Sequence, residues 1–130
     1  MSISILVLGA PFESEACYTA FRYTKAALES DVSVERVFFY QSGIHTASNL
    51  TCVPRDEFDL YSAWQNLTKE YSLDIVVCIA AAARRGLIDN SEAKRHNKTA
   101  SNMSEHFELS GLGQLVEAIA TTDKLITFGE

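Results

Sequence analysis

The chain has 130 residues, 47% of them hydrophobic and 22% charged, which is the composition of a water-soluble globular domain long enough to bury a core. A formal net charge of −6 argues against a dedicated RNA or DNA surface, which needs clustered Lys and Arg, so direct nucleic-acid binding is not expected. No apolar stretch approaches the roughly 20 residues of a bilayer crossing, so no membrane association is expected either.

The opening MSISILVLGA has no basic flank, and its short apolar run reads as a first strand over Ser2–Leu8 instead of a secretion signal. From Glu13 to Glu29, Cys17, Phe21, Thr24 and Leu28 recur at spacings of 4, 3 and 4, the period of an amphipathic helix. Ser33–Tyr40 is rich in β-branched and aromatic residues and reads as a second strand. Asp56-Glu57 is expected to open a helix in which Leu60, Trp64, Leu67 and Tyr71 repeat the same spacing. Asp74–Ile79 is apolar on consecutive positions, as a strand covered on both faces should be.

Ala80–Arg85 favours helix, and Gly86 suits its C-terminal cap. Asp89 and Glu92 have the spacing of a capping box for a further short helix. His96–Glu105 is polar and reads as a loop, and Phe107–Leu109 as a short strand. Ser110 is placed to cap a last helix with Leu112, Leu115, Val116 and Ile119 on one face, and Lys124–Phe128 closes the chain as a strand. Strands alternating with helices of this length make parallel βαβ units, so the expectation is one three-layer α/β domain over residues 1–130.

In such sheets functional groups gather beyond the carboxyl ends of the strands. Three connections leave that edge: Gly9–Phe12, the long Gln41–Arg55 with His45, Asn49 and Cys52, and the turn at Cys78. Cys78 admits two readings, because cysteine is a common core residue and also a nucleophile when it faces a helix N-terminus. Amides there favour thiolate; about 1.4 kcal/mol is one pKa unit, enough to raise the thiolate fraction near pH 7.4 from roughly 7% to roughly 45%. Burial pushes the other way, so the second reading requires Cys78 to be at least partly accessible.

Cys17 lies on an apolar helical stripe and reads as core, whereas Cys52 and His45 sit in the long loop without a partner in sequence. Three irregularly spaced cysteines form no disulfide framework, which suggests a reducing, cytoplasmic setting. No metal site is expected, since His45, His96, His106 and the cysteines lack ligand spacing. Cys78 to Arg84 fits the C-x5-R spacing of cysteine phosphatases, but the intervening residues are Ile79 and four alanines, which prefer helix to a phosphate cradle. Gly9 stands alone in its loop, so no nucleotide-binding glycine motif is present and no cofactor is expected.

Several blocks, in this order, carry a wider likeness: VFFYQSG with Asn49-Leu50-Thr51, DEFDLYSAWQNL, CIAAAARRGLID with Glu92-Ala93, Ser101-Asn102 and LSGLGQLVEA. Together they resemble the TusD/DsrE family of sulfur-relay proteins along nearly the whole chain, most of all its TusD branch. The resemblance implies a DsrE-like fold with a parallel five-stranded sheet, and a sulfurtransferase subunit whose persulfide-carrying cysteine falls on Cys78. It also implies TusB-like and TusC-like partners in a heterohexamer, a TusA-like sulfur donor and a TusE-like acceptor. The pathway implied is 2-thiolation of the tRNA wobble uridine. The DsrE branch would place the same chemistry in sulfur oxidation, and a third possibility is a non-catalytic assembly subunit with a buried Cys78. Arg84 and Arg85 are expected either to raise the local positive potential or simply to complement a helix C-terminus.

Overall fold

A computed structural model describes residues 1–129. Five strands, β1 (Ser2–Val7), β2 (Ser33–Phe39), β3 (Ile75–Cys78), β4 (Glu108–Ser110) and β5 (Lys124–Phe128), form one sheet in the order β4-β3-β2-β1-β5. Every neighbouring pair is parallel. The helices are α1 (Ala16–Glu29), α2 (Leu60–Tyr71), α3 (Ile79–Arg84), α4 (Asn90–Arg95) and α5 (Gly113–Thr121), with a 3-10 segment at Gln41–Ala47. The α/β class and the strand count agree with the sequence reading.

The strand order decides which face each helix covers. From β1 to β4 the chain steps one strand at a time in one direction, so right-handed crossovers put α1 to α4 on one face. The return from β4 to β5 crosses the sheet in the other direction and leaves α5 on the opposite face. Side chains confirm the division. Phe39 of β2 packs edge-on against Trp64 of α2 with ring centroids 5.4 Å apart, and Trp64 meets Phe21 of α1 at 5.1 Å. Arg36, an odd number of residues from Phe39, points the other way: its Nη1 donates to the Gln114 carbonyl of α5 at 2.8 Å.

The apolar stripes of the first two long helices turn inward over most of their length, with Leu28 only half-buried and Tyr71 exposed at their ends. Cys17, Phe21 and Thr24 of α1 and Leu60, Trp64 and Leu67 of α2 are buried. Three boundaries differ. α2 begins at Leu60 and not at Asp56-Glu57, because Asp59 is the residue whose carboxylate accepts from the Ser62 amide at 3.1 Å. Ser110 does not cap the last helix; it is the final residue of β4, and α5 follows Leu112 with no side-chain cap. The apolar residues of α5 do not all turn inward, since Ala118 is buried while Leu112, Val116 and Ile119 are exposed. The Asp89 cap is formed as expected, accepting from the Glu92 amide at 2.8 Å, but the Glu92 carboxylate turns to Arg95 and His96 instead of back to the cap.

Candidate active site at the ends of β3 and β4

β3 is a four-residue strand, IVVC, hydrogen-bonded on both sides and buried throughout. Its last residue, Cys78, keeps extended backbone (φ −62°, ψ 115°) and is also the N-cap of α3. On the adjoining strand its register partner is Ser110, the last residue of β4. Beyond this pair the chains part. After Cys78 the backbone enters α3 on the face shared with α1 and α2, and after Ser110 it runs to α5 on the opposite face. Neighbouring parallel strands whose outgoing connections diverge leave a crevice between them, the usual position of a functional site in an open α/β sheet.

Alternation fixes the side on which the Cys78 side chain emerges. Val77 pairs with Phe39, which faces Trp64, so Cys78 faces the α5 layer. Its thiol makes no capping hydrogen bond to the first amides of the six-residue α3. Cys78 is also only 2% exposed, which corrects the accessibility that the nucleophile reading required. The 3-10 segment, whose Ile44 and Ala47 are fully buried, packs against both β3 and α3, the elements that meet at Cys78.

The other sequence-predicted residues do not converge on Cys78. Cys17 is buried in α1 and its thiol donates to the Ser14 carbonyl at 3.0 Å; burial pushes its pKa up to about 11, so it is a core residue. Cys52 is exposed in the loop before α2. His45 is exposed on the 3-10 segment, and the exposed Asn49 donates its backbone amide to the Asn102 carbonyl at 2.8 Å, tying the long loop to the segment before β4. Arg84 stands at the opposite end of α3 from Cys78, because residues 79–84 are helical. They form no cradle, and the phosphatase spacing is therefore a coincidence of sequence. Arg85, also exposed, donates from Nη1 to the Ala81 carbonyl at 3.1 Å, the bond of a cation complementing a helix end.

Two larger clefts lie elsewhere. One of about 580 Å³ is lined by Leu50, Ala83, Ile88, His96, Lys98 and Asn102, and one of about 690 Å³ by Gly9, Ala10, Gln41, Ser42 and Thr127. Cys78 lines neither. Among the described residues no three His, Cys, Asp or Glu side chains are grouped to hold a metal ion, and no helix is long and apolar enough to cross a membrane. Sequence reasoning does not place Ser110 beside Cys78, because S-G-L-G before an apolar run reads equally well as a helix cap.

The chain is similar along its length to known proteins. Residues 1–128 match the DsrE/DsrF-like family. The DsrE protein of Allochromatium vinosum is 42% identical over 130 residues, all of both chains. The sulfurtransferase TusD homolog of Pseudomonas aeruginosa is 46% identical over 92% of this chain and 91% of its own, and sulfurtransferase TusD of Proteus mirabilis is 40% identical over 98% of each. The crystal structure of the E. coli YchN protein superposes with a TM-score of 0.75 at 20% identity, covering 98% of this chain and 99% of that one, which identifies the same fold. A parallel five-stranded sheet with a cysteine at its topological switch point, a family match over residues 1–128 and full-length sulfurtransferase relatives lead to one assignment: the chain belongs to the DsrE/DsrF-like family and is a sulfurtransferase.

Proposed function

We propose that this sulfurtransferase carries sulfur as a persulfide on Cys78, within a cytoplasmic relay of proteins. The observation that carries the reading is the position of Cys78 where the connections of β3 and β4 diverge. The Cys78 thiolate attacks the terminal sulfur of a donor persulfide; the donor's S–S bond breaks and the donor leaves as a thiolate. Cys78 then holds S–SH. An acceptor thiolate attacks the outer sulfur, breaks the new S–S bond and restores the Cys78 thiolate. The oxidation state of the transferred sulfur does not change, so neither step calls for a redox cofactor.

The donor in this reading is a TusA-like carrier and the acceptor a TusE-like protein, and the sulfur goes towards tRNA wobble-uridine 2-thiolation. TusD relatives at 40% and 46% identity support that destination. The exposed Leu112, Val116 and Ile119 on α5 support assembly with TusB-like and TusC-like subunits in a heterohexamer. A cysteine that is 2% exposed in the isolated subunit must be uncovered by its partners or by the arriving carrier.

Two observations favour other readings. Full-length similarity to a DsrE protein favours a sulfur-oxidation relay with the same chemistry, and the burial of Cys78 favours a non-catalytic assembly subunit. The deciding experiment is peptide mass spectrometry after incubation, with partner subunits present, with a cysteine desulfurase, cysteine and a persulfide-loaded TusA-like carrier. One added sulfur on the Cys78 peptide, released by dithiothreitol and absent in Cys78→Ser, is expected. An unloaded Cys78 under these conditions would leave the assembly-subunit reading.

A further inference from the structure

Cys78 and Ser110 end adjacent strands in direct register, with their side chains on the same face of the sheet. Neither the Cys78 thiol nor the Ser110 hydroxyl has a hydrogen-bond partner among the described residues. Ser110 is partly exposed although Cys78 is not. β4 is a three-residue edge strand, and the chain that follows it is open: a Cβ built on Gly111 or on Gly113 meets nothing within 4 Å. The backbone just beyond Ser110 therefore has free space around it.

We propose that the Ser110 hydroxyl donates a hydrogen bond to the outer sulfur of the Cys78 persulfide, making Ser110 a second catalytic residue. This rests on the persulfide reading of Cys78 and adds to it a residue that holds the cargo. Reach is the central point. Neighbouring strands lie about 4.8 Å apart, and a persulfide extends one S–S bond, about 2.05 Å, beyond Sγ. The resting thiol stops short of the hydroxyl, whereas the loaded cysteine brings an anionic sulfur alongside it. A donor that meets only the loaded form stabilises the persulfide relative to the thiol. It also points the outer sulfur towards the open β4 edge, where an acceptor thiol can approach along the S–S axis.

The test is the exchange equilibrium between Cys78 and glutathione persulfide, read as the ratio of loaded to free Cys78 by mass spectrometry at fixed glutathione and glutathione persulfide. It uses the full chain with its co-purified partner subunits. Ser110→Ala is expected to lower the loading constant about tenfold, the low end for a lost hydrogen bond to a charged group, with the unfolding midpoint unchanged. Ser110→Thr keeps the hydroxyl and is expected to restore loading to within about twofold. Loading by Ser110→Ala equal to the parent's, or a loss that Ser110→Thr fails to rescue, would overturn the proposal and leave the relay intact. Cys78→Ser run in parallel separates the two ideas, because sulfur still loaded on that variant would sink the persulfide reading itself.

Discussion

Each of the three cysteines has a different environment, and reactivity should follow it. Cys52 is exposed, Cys78 is covered but lies at a strand end beside the partly exposed Ser110, and Cys17 is sealed in the core with its proton held. A thiol with a pKa of about 11 is roughly 0.1% thiolate at pH 8. Iodoacetamide at that pH should label Cys52 first, Cys78 more slowly and Cys17 only after unfolding, as peptide mapping over time would show. Labelling of Cys17 ahead of Cys78 would mean that α1 opens more readily than the crevice. The same thiol sets a pH dependence. Its pKa is raised in the folded chain, from 9.0 to about 11, so the unfolded chain loses the proton first. The contribution to stability is complete below about pH 9 and declines as pH rises towards about 11. The urea midpoint should therefore fall between pH 8 and pH 10.5, and fall less steeply in Cys17→Ala. Tyr18, raised by burial, adds a change of the same sign that remains in that variant.

Among the elements, α2 and α5 are held in different ways. α2 has a buried stripe and a strong cap, with the Asp59 carboxylate accepting from both the amide and the hydroxyl of Ser62, at 3.1 and 2.9 Å. Asp59→Ala should cost about 1 kcal/mol in urea unfolding, the usual loss for an N-cap; no change would mean that the helix start is held by packing alone. α5 has no side-chain cap and a single fully buried residue, and its anchor is Arg36. Nε of Arg36 donates to Asp74 at 2.8 Å and Nη1 to the Gln114 carbonyl at 2.8 Å, joining β2, the start of β3 and α5. The difference explains what could be read beforehand. Stripes at spacings of 4, 3 and 4 in α1 and α2 stated both the helix and its buried face, because those helices pack fully on one side of the sheet. In α5 the same logic marks an apolar face without saying what covers it, and Leu112, Val116 and Ile119 are exposed in the subunit. The place of Cys78 at the end of a strand is legible, because an apolar strand breaking into an alanine-rich helix marks a strand end, whereas its role rests on the family resemblance. The place of Ser110 is not legible, because register between strands 32 residues apart is set by tertiary pairing, and nothing local in S-G-L-G distinguishes a strand end from a cap.

For the whole molecule, the sheet is covered unequally: α1 to α4 share one face and α5 alone crosses the other. Leu112, just before α5, and Val116 and Ile119 within it are 44%, 64% and 51% exposed, and their spacing of 4 and 3 aligns them along one side of the helix. Burial of a full aliphatic side chain is worth about 1.5–3 kcal/mol, so covering what remains open on these three is worth roughly 2–5 kcal/mol, a useful share of an interface. The stripe starts two residues after Ser110, so a subunit seated on it would also border the Cys78 crevice. Assembly and access to the sulfur are then linked by geometry. Val116→Glu combined with Ile119→Glu should leave the subunit folded, since both positions face solvent, yet place two carboxylates in the contact and strip them of water on association. Light scattering after size exclusion, with the partner subunits co-expressed, is expected to show the parent in the larger assembly and the double variant as a free subunit with unchanged circular dichroism. Co-elution of the double variant in an assembly of the parent's mass would show that the partners seat elsewhere.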